Sequence, residues 1–143
     1  MKNLIRALAI ATAFATVAVP FAARAGDAAP ATEAPKAEAF GRLTIDQVNA
    51  LIASKGGYIF DNNSKDSYAK GHVPTAKWVA FNDVKPADLP ADKASKLVFY
   101  CGNEQCMACH KAAETALNLG YKNVFIMPAG IMGWEKAKQK IEA

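Results

Sequence analysis

The residues of this 143-residue chain best suited to nucleophilic chemistry at neutral pH are three cysteines, at 101, 106 and 109. Cys101 follows the apolar run Leu97-Val98-Phe99-Tyr100 and precedes Gly102, Asn103, Glu104, Gln105, Cys106 and Met107, after which a helical pattern begins. A loop between a strand end and a helix start can turn several backbone N–H groups inward. Together with the helix dipole, those groups stabilise an anion such as a thiolate or a persulfide. A thiol in that position also loses its proton more readily, which makes Cys101 a candidate nucleophile. A strand-end cysteine with no chemistry, buried as a small apolar residue, fits the same four-residue run.

The other two cysteines compete for the assignment. Cys106-Met107-Ala108-Cys109-His110 has the spacing of a c-type haem attachment site. Both thiols would then form thioether bonds, His110 would bind iron, and Met127 or Met132 could supply the second axial ligand. The same residues read as a C-x-x-C redox pair at a helix N-terminus, as a structural disulfide, or as part of a sulfur-carrier protein without turnover. Cys106 could also resolve a modified Cys101 through a Cys101–Cys106 disulfide. Apart from this haem pattern, no metal-ligand spacing stands out.

Elements must hold these groups in place. Lys2 and Arg6 open the chain, an apolar stretch runs from Ala7 to Val19, and Pro20 precedes the small-residue ending Ala23-Arg24-Ala25. This is the pattern of a secretory signal peptide cleaved after Ala25, and its apolar run is shorter than the roughly 20 residues of a spanning helix. The expectation is a periplasmic protein that is not membrane-embedded, in a compartment where cysteines tend to oxidise. The net charge of +4 comes from 17 basic and 13 acidic residues. Lys2, Arg6 and Arg24 supply three of the positive charges, and no acid lies among the first 25 residues, so the mature chain is left at +1. No basic stripe speaks for nucleic acid. Residues 26–39, rich in alanine and proline, read as a flexible tether.

The single folded domain spans 40–143. Thr44 and Gln47 form a capping box ahead of Ile45, Val48, Leu51 and Ile52 at helical spacing, and Gly56-Gly57 is expected to stop that helix. Strands are expected at Tyr58–Phe60, Ala76–Val79, Leu97–Tyr100 and Val124–Met127. Helices are expected at 64–70, from near Ala108 to Gly120, and from Gly130 to about Lys140. Strands alternating with helices predict an α/β fold with a mostly parallel sheet and ligands at the strands' carboxyl ends, where Cys101 falls.

The strand ending in Asp61, Gly71-His72-Val73-Pro74 after Asp66 and Tyr68, Cys101 after its apolar strand, Ala112-Ala113, Gly120-Tyr121 with Val124, and Ala129-Gly130 with Trp134 occur in a fixed order. This ordered set resembles the rhodanese-like, single-domain sulfurtransferase family over about Phe40 to Glu142. The resemblance implies a five-stranded sheet with helices on both faces and a persulfide on Cys101, cradled by residues 102–107. The implied reaction moves sulfane sulfur from thiosulfate, a persulfide or a polysulfide to a thiol or other thiophilic acceptor, with no cofactor. Asp61 is expected to anchor nearby backbone and His72 to orient its turn, with Trp78 and Trp134 as packing residues. Departures from the family pattern are Asn63 where an arginine is usual, Thr75 where a glycine is usual, a somewhat longer loop, and Glu104 in a loop without Lys or Arg. Phosphatase relatives need a loop arginine to bind phosphate bidentately, which excludes that activity here.

Overall fold

The computed structural model describes residues 39–143. The expected signal peptide and all but the last residue of the expected tether lie outside the described residues. Five strands form one sheet in the order β1-β5-β4-β2-β3, every neighbouring pair parallel: β1 (Gly41–Arg42), β2 (Tyr58–Asp61), β3 (Lys77–Trp78), β4 (Lys96–Tyr100) and β5 (Asn123–Ile126). Helices α1 (Ile45–Ser54), α2 (Lys65–Lys70) and α3 (Ala108–Asn118) lie between strands, a short 3-10 turn (Pro86–Asp88) lies between β3 and β4, and α4 (Gly130–Lys136) follows β5.

Side chains of a strand alternate between faces, and both faces here are apolar. Phe60, Leu97, Phe99, Val124 and Ile126 pack with Cys109, Ala112, Ala113 and Ala116 of α3. Ile59, Val98 and Tyr100 point the other way, against Val48 and Leu51 of α1 and Trp134 of α4. Helices therefore cover both faces of the sheet, as the sequence predicts. The small alanines of α3 let its backbone approach the sheet closely.

The capping box at the start of α1 is present: Gln47 N–H donates to Thr44 Oγ1, and Thr44 N–H donates to Gln47 Oε1. Three details differ from the sequence reading. Strand β1 was not expected, because two residues, one of them glycine, give no apolar run; its partners Phe125 and Ile126 create it. The left-handed residue that ends α1 is Lys55 (φ 52°), not a glycine, while Gly57 is needed because a Cβ there would lie 2.8 Å from Lys96 O. Helix α4 stops at Lys136 rather than near Lys140, since Lys138 turns left-handed (φ 54°) and the following chain pairs back to His72 through Glu142.

The direction of winding reverses between β4 and β2: β4 leads through α3 to β5 on one side, and β2 leads through α2 to β3 on the other. Such a reversal opens a crevice at the strands' carboxyl ends. Tyr100 lies opposite Asp61 in register, so Cys101 and Asn62 leave the sheet side by side.

Candidate active site

Cys101 follows the last residue of β4 and is 1% exposed. Its sulfur lies 3.3 Å from the sulfur of Cys109 and 3.2 Å from the carbonyl oxygen of Cys106. Cys109, the second residue of α3, is equally buried, and its sulfur lies 3.6 Å from His110 Nδ1. Cys106 is partly exposed, and all three cysteines are thiols. The thiol of Cys106 also hydrogen-bonds to Cys101, so the three thiols form one cluster, with Cys101 and Cys109 3.3 Å apart.

The amide groups are arranged differently from the expected six-residue cradle. Within the loop, Gln105 N–H donates to Asn103 Oδ1 and Cys106 N–H to Asn103 O, so those two donors close a turn. The N–H of Cys109 faces the sulfur of Cys101, and those of Cys109 and His110 face the sulfur of Cys109. The N–H groups of Gly102 and Ala108 face Cys106. The anion-stabilising donors thus come mainly from the first turn of α3.

Those contacts divide the acidity of the pair. Donation from Cys101 to Cys109, and then burial, push the Cys101 thiol well above the usual range. The same hydrogen bond holds Cys109 below it. Within the pair, the sulfur at the helix N-terminus is the more acidic. The sequence reading expected the lowered value on Cys101; the structure puts it on Cys109. Burial pushes Cys106 upward.

Helix α4 fixes the loop from behind. Ile131 N–H donates to Cys101 O (2.9 Å) and Met132 N–H to Gly102 O (3.0 Å). Gly130 sits at φ +59°, and a Cβ there would lie 2.5 Å from Cys101 O and from Gly102 C and O. Only glycine allows this approach.

Asp61 is fully buried beside the site; its Oδ2 accepts from Tyr100 Oη (2.5 Å) and its Oδ1 from Asn63 N–H (2.7 Å). Tyr100 Oη accepts in turn from Val73 N–H (3.0 Å), and burial together with the Asp61 carboxylate pushes its phenol far upward. His72 stacks on Tyr68, and its Nδ1 lies 3.0 Å from Tyr68 O. Its backbone pairs with Glu142 in both directions. Trp134 is buried, and Trp78 donates to Asn63 O.

Three more residues flank the loop: Asn63, already noted as a departure from the family pattern, and Lys136 and Arg42, which the sequence reading did not place there. Asn63 Oδ1 lies 3.7 Å from where a Gly102 Cβ would be, and its Nδ2 is buried without a partner. Lys136 shares a cavity of about 410 Å³ with Asn103, Glu104 and Gln105, and Arg42 shares one of about 540 Å³ with Glu104. Cys101 lines neither cavity. The loop carries no basic residue of its own, but β1 and α4 bring one each to its flank. No spacing rule in the sequence connects residues this far apart.

The haem geometry does not fit this fold. His110 is 7% exposed, with the Phe40 ring edge-on at 5.7 Å, and Cys109 is in the core between α3 and the sheet. Met127 is buried on the opposite face, and Met132 is 58% exposed on α4. A porphyrin bonded to Cys109 would have to displace the packing of α3.

A family model described as the Rhodanese-like domain matches residues 44–137. This chain belongs to the rhodanese-like family. A tRNA uridine(34) hydroxylase from Yersinia enterocolitica is 32% identical over 105 residues, which make up 68% of this chain and 29% of that protein. This rhodanese-like chain spans less than a third of the length of the curated relatives it matches. A human single-domain sulfurtransferase has the same fold (TM-score 0.57, 21% identity, 66% of this chain and 95% of that one). So does a thiosulfate sulfurtransferase from Pseudomonas aeruginosa (TM-score 0.63, 23% identity, 72% of this chain and 20% of that one).

Proposed function

We infer that this rhodanese-like protein carries sulfane sulfur as a persulfide on Cys101 and hands it to a thiophilic acceptor. The observation that carries the reading is the placement of the Cys101 sulfur at the carboxyl end of central strand β4, against the sulfur and first-turn N–H groups of α3. The Cys101 proton passes to the Cys109 thiolate, and the Cys101 sulfur attacks the outer sulfur of the donor. The donor's sulfur–sulfur bond breaks, and its electron pair leaves with sulfite, a thiolate or a shorter polysulfide. Cys101 is left as a persulfide anion and Cys109 as a thiol, so atoms and charge balance. The helix N-terminus then faces the new anion.

The donor class is an anionic sulfane-sulfur compound. Glu104 opposes it, while Lys136 and Arg42, in the cavities beside Glu104, support it. The burial of Cys109 and His110 favours this reading over haem attachment. Sulfur transfer to cyanide from thiosulfate and from polysulfide is the test. Cys101→Ser should reduce both to background, and retained transfer in that variant would sink the reading.

A further inference from the structure

Cys101 is so deeply buried that a bulky acceptor reaches it only if the loop moves, yet a buried nucleophile already touches it. The sulfur of Cys109 is 3.3 Å away, within van der Waals contact of the atom that would carry the persulfide. Cys106 also reaches Cys101, through its carbonyl oxygen at 3.2 Å and its thiol, but it is partly exposed and precedes the helix. Cys109 also sits where first-turn amides favour a sulfur anion.

We propose that Cys109 discharges the Cys101 persulfide as sulfide, closing a Cys101–Cys109 disulfide, so that the site is a sulfane-sulfur reductase as well as a sulfur donor. This rests on Cys101 being the persulfide carrier. The sulfur of Cys109 attacks the inner sulfur, which is Cys101 Sγ. A bond forms between the two cysteine sulfurs, and the bond between inner and outer sulfur breaks. The electron pair of the broken bond and the Cys109 proton leave together as hydrosulfide. The two cysteines are oxidised to a disulfide, and the sulfane sulfur is reduced to sulfide. One persulfide anion and one thiol enter the step; one disulfide and one hydrosulfide leave it. An external dithiol reductant reopens the disulfide and becomes a disulfide itself. Cys106, the accessible third thiol, relays that exchange by displacing Cys109 from Cys101 and presenting the mixed bond at the surface.

The test uses the whole protein, reduced, loaded with a stoichiometric polysulfide at alkaline pH and freed of excess. It reads intact mass, sulfide and linked peptides over time. The expected course is a gain of one sulfur atom, then loss of that sulfur as sulfide. The final form is lighter than the reduced chain by the two thiol hydrogens, with Cys101 linked to Cys109. Cys109→Ser is expected to keep the added sulfur and lose the sulfide release. Peptide mapping of the unsubstituted chain needs no variant, so it stands even if Cys109→Ser folds badly. A first-formed link from Cys106 to Cys101 or Cys109 overturns the proposal, as does undiminished sulfide release from folded Cys109→Ser. Sulfur gained on Cys101 without the Cys101–Cys109 link overturns this step alone. Failure of Cys101 to gain sulfur overturns the persulfide reading with it.

Discussion

Cys109 stands three residues before Ala112, four before Ala113 and seven before Ala116, the spacing of one helix face. That face packs on the sheet, so Cys109 must point at the end of β4, and Cys106, which precedes the helix, need not. This inward direction was legible in the sequence, but the haem-like spacing of Cys106, Cys109 and His110 drew attention away from it. The proton division within the pair was not legible, because it depends on a 3.3 Å contact between different elements. It has a kinetic consequence. The hydrogen bond between Cys101 and Cys109 holds Cys109 below the ordinary thiol range, whereas the same bond and then burial act to raise Cys101. Sulfur loading should therefore rise with pH through an apparent pKa lower than that of a free thiol. In Cys109→Ala the midpoint should move upward, with loading at neutral pH about tenfold slower for each pKa unit of the shift. His110 and Cys106 are the other titratable groups beside the pair. An unchanged midpoint in stopped-flow loading would remove Cys109 from the proton path.

At the scale of elements, the loop after β4 owes its shape to α4 more than to its own sequence. Two N–H groups of α4 hold the carbonyls of Cys101 and Gly102, and Gly130 provides the room. Gly130→Ala combines a left-handed φ with a 2.5 Å overlap on backbone atoms, and it should destabilise the fold by about 3 kcal/mol. Sulfur transfer should fall by more than the loss of folded protein explains. Chemical denaturation and activity per folded chain measure the two effects separately. The sequence pattern found α1 through its capping box and strands β2 to β5, within a residue or two, through their apolar runs. It could not find β1, whose two residues are a strand only because β5 lies beside them. Nor could it find the end of α4, where a left-handed lysine does what glycine or asparagine more often does.

For the molecule as a whole, the ordered motifs in the sequence indicated the family, and the five parallel strands with helices on both faces bear that out. Among the described residues no helix is long and apolar enough to cross a membrane. Export rests on the first 25 residues, and we propose it from their pattern alone. Protein recovered from the periplasm of a host competent for haem attachment should have the mass of residues 26–143, with or without extra sulfur that reduction removes. It should show no Soret band. A haem-sized mass increase with such a band would mean that α3 is not packed as described and that Cys106, Cys109 and His110 are haem ligands.

The pairing of β1 with β5 sets an order of events. Gly41 lies opposite Phe125, and β4 and β5 must both be present before β1 has a neighbour. The chain therefore closes its largest loops before those pairings stabilise it, which is the slow regime for small domains. During synthesis α1 can flicker in and out, but β1 cannot be held until more than half of the chain after it has emerged. A chain that commits so late remains threadable for most of its synthesis, and the sheet edge at Gly41–Arg42 is the place where commitment would be detected, by the onset of hydrogen-exchange protection at Leu43 N–H, which bonds to Ile126 O.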